Sequence, residues 1–239
     1  MPSVPTGGRY VLGPTPSFSP RLLFAVAILS ALVCSLAAGV GGLHLLYLRG
    51  GQGLPACLLG CVAGVLAADF ATAVVHWACD TWGGSDTPYV GATLIRSFRE
   101  HHHSPQAMLA HDWIEVNGEA AVTALAALVL FLPALVWPHA SGDLFFTSFL
   151  WALLSFSAFT NQLHQWAHQP SPPRLVARLQ QLGLLLSAVR HDQHHRAPHL
   201  TNYCISTGWL NGVLDTLNFW RGLEGMISRL TGAKARSHP

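Results

Sequence analysis

Four long apolar stretches dominate this chain: Leu22–Leu48, Leu54–His76, Ala120–Trp137 and Leu144–Leu163. A bilayer-spanning helix needs roughly 20 consecutive apolar residues, and each stretch reaches or approaches that length. Composition agrees, since 51% of the 239 residues are hydrophobic and only 10% are charged, against about 25% charged in a soluble domain. The expected fold is therefore all-α and polytopic, with four transmembrane helices. The third stretch is the shortest and also suits a buried core helix. The first exceeds a cleavable signal's apolar run of roughly 7–15 residues, so it reads as a retained anchor. Residues 1–20, with Pro2, Pro5, Pro14, Pro16 and Pro20, read as a flexible tail before a single membrane-embedded domain over 21–236.

Four spans put the N-terminal tail, residues 77–119 and residues 164–236 on one side of the membrane. Arg49 alone of the 13 Lys and Arg residues falls opposite, and the excess of positive charge assigns the populated side to the cytoplasm. His44 and His139 are the only histidines opposite; the rest of the 14 share the cytoplasmic face. Residues 77–119 and 164–236 should then form a cytoplasmic cap. The segments Leu175–Val189 and Val213–Leu230 mix apolar residues with arginines, as helices lying on a membrane surface do. The tryptophans Trp77, Trp82, Trp166, Trp209 and Trp220 fit interfacial anchors.

The histidines are grouped: His76, then His101, His102 and His103, then His111, then His164 and His168, then His191, His194 and His195. On a helix, residues four apart lie on one face, so His164 and His168 can converge on one ion, and His76 and Asp80 share that spacing. His191, His194 and His195 can serve two neighbouring ions. Three chain regions deliver imidazoles to the same face, and a metal site accounts for their concentration. A single zinc takes three or four ligands, so eight or more histidines overfill it, while two irons can use nitrogen ligands and keep positions open for dioxygen. Haem would want isolated histidines at mid-depth. The cysteines Cys34, Cys57, Cys61, Cys79 and Cys204 lack a paired framework and do not share the histidine spacings. No Gly-rich nucleotide loop is present, and a net charge of +2 gives no nucleic-acid signal.

The motifs resemble a specific family. Asp69 with the run His76 to Gly83, Phe98 to His102 followed by Pro105, His111 to Gly118, Thr160 to His168, and Tyr203 to Asn211 followed by Phe219 and Trp220 are similar to the Kua, or plasmanylethanolamine desaturase, family of histidine-box membrane desaturases. The resemblance runs from about Asp69 to Arg236. It implies two irons, dioxygen as co-substrate, and a membrane lipid as substrate. The run through Gly208-Trp209-Leu210-Asn211 resembles the ether-lipid branch more than the branch of plant plastid fatty acid desaturase 4.

The implied reaction introduces a 1Z vinyl ether double bond into the O-alkyl chain of an ethanolamine phospholipid. Cytochrome b5 or a ferredoxin would supply electrons, and the host membrane would be the endoplasmic reticulum or a bacterial inner membrane. The alternative readings are a desaturase or hydroxylase of an acyl phospholipid, and a non-enzymatic membrane metal-binding protein. Expected ligands are His76, His101, His102, His111, His164, His168, His191, His194 and His195. Asp80, Asp112, Glu115, Asn161 and His199 are expected to orient imidazoles from behind, with direct ligation by Asp80 left open. Asp69 reads equally as a functional group or a satisfied structural one. His103 departs from the family pattern and reads as an extra, as does His238. Gln165 replaces a frequently basic position without touching ligation. Arg96, Arg99 and Arg196 are candidates for holding a lipid phosphate.

Overall fold

A computed structural model of the chain describes residues 20–48, 50–136 and 144–236. The N-terminal tail 1–19, Arg49, the loop carrying His139, and His238 lie outside the described residues. Every regular element among those described is helical, as the apolar runs require. Among the described residues two helices, α1 (Pro20–Leu48) and α2 (Leu54–Thr81), are each long and apolar enough to cross a membrane. At 1.5 Å per residue each exceeds the roughly 30 Å hydrocarbon thickness. Helix α2 runs past the expected end at His76, so Asp80 stands one helical turn beyond it on the same face.

Three short elements follow: a π-helical turn at Gly91–Ile95, α3 (Arg96–His103), and a 3-10 turn at Pro105–Ala110. Helix α4 (Trp113–Val136) begins seven residues before the expected third span. A reciprocal cap explains the early start. Asp112 Oδ1 accepts from the N–H groups of Ile114 and Glu115 at 2.9 and 3.1 Å, and Glu115 Oε2 accepts from Asp112 N–H at 3.2 Å. This is a capping box written with aspartate. The Arg21 guanidinium, at the start of α1, binds both carboxylates. Backbone N–H donation from Glu115 and the Arg21 charge together hold Asp112 below the usual carboxylate range.

The expected fourth span is broken. Helices α5 (Leu144–Ala158) and α6 (Thr160–His168) meet at a 51° bend, and count as a third candidate span only if taken as one bent element. Phe159, with φ −115° and ψ 14°, leaves the helical conformation. The Thr160 hydroxyl pairs with Ser206 Oγ at 2.9 Å, fixing the new direction. Composition gives the reason, because α6 is polar where α5 is apolar. Lipid would not solvate Asn161, Gln162 and Gln165, whereas the bend delivers them to protein partners.

Helix α2 packs on α5, and α1 on α4. The first pairing is close. A Cβ at Gly64 would sit 2.8 Å from Ala152 Cβ and 3.0 Å from Leu153 N, and one at Gly60 would sit 3.1 Å from Ser148 Cβ. Glycine four residues apart therefore lets the two backbones approach, as small residues do between membrane helices.

The remaining chain forms α7 (Arg174–Gln181), α8 (Ala188–His194), α9 (Asn211–Thr216) and α10 (Phe219–Thr231). Between α8 and α9 the segment 200–210 lies against α2 with its side chains largely buried. Ala73, Trp77, Tyr203, Cys204, Leu214 and Trp220 form one apolar cluster there, with Phe70 and Phe219 packed on it. Trp77 and Trp220 are each only 3% exposed, so these two are core residues, not interfacial anchors as sequence suggested. Large apolar residues on the short helices, including Leu175, Val189, Val213 and Leu230, remain exposed, as amphipathic surface helices require. All five cysteines are free thiols.

Candidate metal centre

Asp69 ties segment 200–210 to α2. Its carboxylate, fully buried, accepts four hydrogen bonds: from the N–H groups of Ser206 (2.9 Å), Thr207 (3.2 Å) and Gly208 (2.9 Å), and from the Thr207 hydroxyl (2.6 Å). Of the two sequence readings of Asp69, the structure bears out the structural one. Gly208 adopts φ +70°, which a glycine accommodates without strain. Asn211 closes the same segment by bonding both the N–H and the carbonyl of Cys204.

This clamp sets two carbonyls against two histidines. The Nδ1 atoms of His76 and His194 lie 3.3 Å from Tyr203 O and 2.7 Å from Thr201 O. A carbonyl only accepts, so each imidazole carries its proton on Nδ1 and leaves a lone pair on Nε2. Sequence reasoning missed these two backbone partners, although the buried run Tyr203–Asn211 was visible as a motif.

The histidines separate into two groups. His101 of α3, His164 and His168 of α6, His191 of α8 and the following His195 bring one ring nitrogen each within 4.8 Å of one another. His76 and Asp80 of α2, His102 of α3 and His194 of α8 form the second group by the same measure. Neighbours in sequence thus part company: His101 and His102 go to different groups, as do His194 and His195. Successive helical residues point about 100° apart, so a pair flanking two ions serves both. The groups are adjacent, with ring centroids of His102 and His195 5.4 Å apart and those of His194 and His195 5.6 Å apart.

In the first group the Nε2 atoms of His101, His164 and His168 are 3.0–3.2 Å from one another. His191 Nε2 lies 2.7 Å from that of His164 and 2.8 Å from that of His168, closing a second triangle. A neutral ring nitrogen either donates or accepts. In a triangle of such atoms one edge must join like to like, so protons alone cannot satisfy either triangle. A central cation satisfies all of them, because every nitrogen can then present its lone pair.

The second group leads to the same conclusion. Asp80 Oδ2 lies 3.4, 3.3 and 3.7 Å from Nε2 of His76, His102 and His194. His76 Nε2 and Asp80 Oδ2 are both buried, yet neither makes a hydrogen bond among the described residues. A carboxylate facing imidazole lone pairs is repulsive unless positive charge stands between them. The donor sets fit metal ions in both groups.

Burial keeps His101, His191, His194 and His195 neutral. His101 is pushed down to about 2 and His195 to about 3, first by desolvation and then by neighbouring histidines. His191 and His194 are lowered well below the ordinary histidine range for the same reason. Neutral imidazole is the form that ligates metal.

Asp80 joins the converging atoms directly instead of standing behind an imidazole. His111 belongs to neither group; its Nδ1 lies 3.3 Å from Glu115 Oε2. Asp112 and Glu115 cap α4 and bind Arg21. Asn161 donates to Val116 O at 3.1 Å, holding α6 to α4. Gln165 donates to the carbonyls of Met108 and His111, positioning the 3-10 turn beside α6. His199 stacks edgewise on His102 at 4.5 Å, its Nδ1 3.0 Å from His194 O. His103 is exposed. Arg99 donates to Cys79 O and Trp82 O, closing the C-terminus of α2. Arg96 lies beside Glu100, and Arg196 binds Asp192.

The membrane-length helix α2, the bent α5–α6 pair and the short α3 and α8 carry two adjacent histidine-rich groups that could hold metal, which defines the class of membrane proteins with a candidate histidine metal site. Residues 65–238 match the lipid desaturase domain family. The chain is 43% identical to plasmanylethanolamine desaturase 1 of Mus musculus over 81% of its own length and 73% of that protein. It is 41% identical to plasmanylethanolamine desaturase of Myxococcus xanthus, covering 72% of this chain and 61% of the relative. Against the chloroplastic fatty acid desaturase 4 of Arabidopsis thaliana the identity is 36%, over 73% and 53%. No solved structure matches it significantly. The chain belongs to the lipid desaturase domain family, as its motifs led one to expect.

Proposed function

We propose that this protein is a plasmanylethanolamine desaturase, converting the O-alkyl chain of an ethanolamine ether phospholipid into the 1Z-alkenyl chain of a plasmalogen. The observation that carries this reading is the pair of histidine groups, every member of which lies within the lipid desaturase domain shared with relatives of that name. In the reaction, carbons 1 and 2 of the alkyl ether lose one hydrogen each. Dioxygen, two external electrons and two protons complete the balance, giving the vinyl ether and two waters.

Two irons, one per group, supply oxidising power that no side-chain acid or base possesses. His101, His164, His168, His191 and His195 hold one, and His76, Asp80, His102 and His194 hold the other. Thr201 and Tyr203 fix the tautomers of two ligands through their carbonyls. The clamp at Asp69 keeps both carbonyls in place, and the buried aromatic cluster of Trp77, Tyr203 and Trp220 excludes water from one flank.

The membrane topology that suits this chemistry has four crossings, α1, α2, α4 and the bent α5–α6 pair, within one domain over 21–236. Its histidine groups and short helices face the cytoplasm, on the positive-inside argument. Electrons come from cytochrome b5 at the endoplasmic reticulum of a eukaryotic host, or from a ferredoxin at a bacterial inner membrane. Expression in cells lacking plasmalogens tests the reading. Acid-labile vinyl ether lipids should appear, and His168→Ala or His191→Ala should abolish them. A new double bond in an acyl chain, with vinyl ethers still absent, would move the assignment to the chemistry named for the plant relatives.

A further inference from the structure

A cleft of about 350 Å³ opens beside the second histidine group, lined among others by Gln193, Arg196, Thr201, Asp215, Trp220 and Arg221. Two of its lining residues, Gln193 and Thr201, adjoin His194 on the side of the ring away from Nε2. Gln193 precedes His194 in α8, and Thr201 accepts the His194 Nδ1 proton through its carbonyl at 2.7 Å. Trp220, 3% exposed, forms an apolar floor. The rim carries both signs of charge. Arg221 is exposed and has no carboxylate partner among the described residues, while Arg196 shares its charge with Asp192 at 2.9 Å. Asp215 spends its oxygens on a single backbone donor, Asn202 N–H, at 3.1 and 3.4 Å, which leaves lone pairs for a second cation.

The geometry of an ether phospholipid gives this placement meaning. In the substrate, only six bonds separate the reacting carbon 1 from the phosphorus atom, through the ether oxygen, the three glycerol carbons and the ester oxygen. At ordinary bond lengths that path spans about 8 Å. An enzyme oxidising mid-chain carbons can hold the headgroup far away; one oxidising carbon 1 must bind it next to the metals. We infer that this cleft is the headgroup subsite, with Arg221 as the principal phosphate-binding residue, Arg196 assisting, and Asp215 receiving the ethanolamine ammonium. The inference rests on the ether-lipid reading above.

The test separates the two. Full-length protein is reconstituted in nanodiscs, and binding of sn-glycero-3-phosphoethanolamine is measured by calorimetry. That probe carries phosphate, glycerol and ammonium but no chain to oxidise. Arg221→Gln should weaken binding about tenfold or more, the usual scale for losing a charge-assisted contact to phosphate, with Arg221→Lys in between. The same variant should raise KM for the ether lipid by a similar factor with kcat within about twofold, since uniform binding is lost. Equal binding by wild type and Arg221→Gln, or displacement of the probe by equimolar inorganic phosphate, would overturn the subsite. Probe binding through Arg221 in a protein that makes no vinyl ether would keep the headgroup site and remove the ether-lipid reading.

Discussion

Replacing Asp69 with alanine removes the acceptor that three consecutive backbone N–H groups and one hydroxyl share. Each orphaned buried donor costs roughly 1–3 kcal/mol. Relaxation of segment 206–208 recovers part of the sum, leaving about 3–5 kcal/mol. For a chain of this length that corresponds to a fall in Tm on the order of 10 °C. Damage should spread in a defined direction. Segment 206–208 continues into Tyr203 and Thr201, whose carbonyls hold the tautomers of His76 and His194, so the second metal should be lost before the first. Fluorescence-detected thermal unfolding in detergent, with iron counted per chain, reads both effects. Thr207→Val, which deletes one bond of the four together with the bond that Trp209 N–H donates to the same hydroxyl, should lower Tm by less than Asp69→Ala does. An Asp69→Ala protein with unchanged Tm and full metal content, yet no activity, would refute the clamp and make Asp69 a participant in chemistry.

Two further outcomes follow from the site. Asp80→Ala should lose as much metal as His102→Ala, while His111→Ala should keep full content, because only the first two contribute converging atoms; elemental analysis decides, and full metal in Asp80→Ala would return that carboxylate to an outer role. The metal-free protein should change least in stability between about pH 7 and 8, above the ordinary histidine pKa and below the ordinary cysteine one. Below that range the unfolded chain takes up protons that the folded one refuses, since His101 and His195 are held near 2 and 3, so stability falls with each unit of acid. A thermal midpoint flat from pH 7 to pH 5 would contradict this.

Much of the site was legible because ligand spacing is a property of one helix. The pairs His76 with Asp80 and His164 with His168 needed only the helical repeat, and eight of the nine histidines proposed from spacing and family motifs do converge. The ninth, His111, shows where such reading stops. It sits beside a capping box, Asp112 and Glu115, whose D-x-x-E pattern before an apolar run was visible but was assigned to imidazole orientation instead of to helix initiation. The two roles use the same residue types, and only backbone geometry tells them apart.

Apolar length and sparse charge determined, without any structure, that this chain is helical and bound for a membrane, and histidine spacing determined that it carries one-face pairs able to ligate metal. Tertiary structure decided how the pairs combine. Whether His101 joins His164 or His76 depends on where α3 crosses α2 and α6, and on the 51° bend at Phe159 that polar α6 requires to find protein partners. It also decided that Asp80 is among the converging atoms and that Asp69 is not. Local periodicity fixes which face of a helix a side chain occupies; which other helix that face meets is set by packing between segments far apart in sequence.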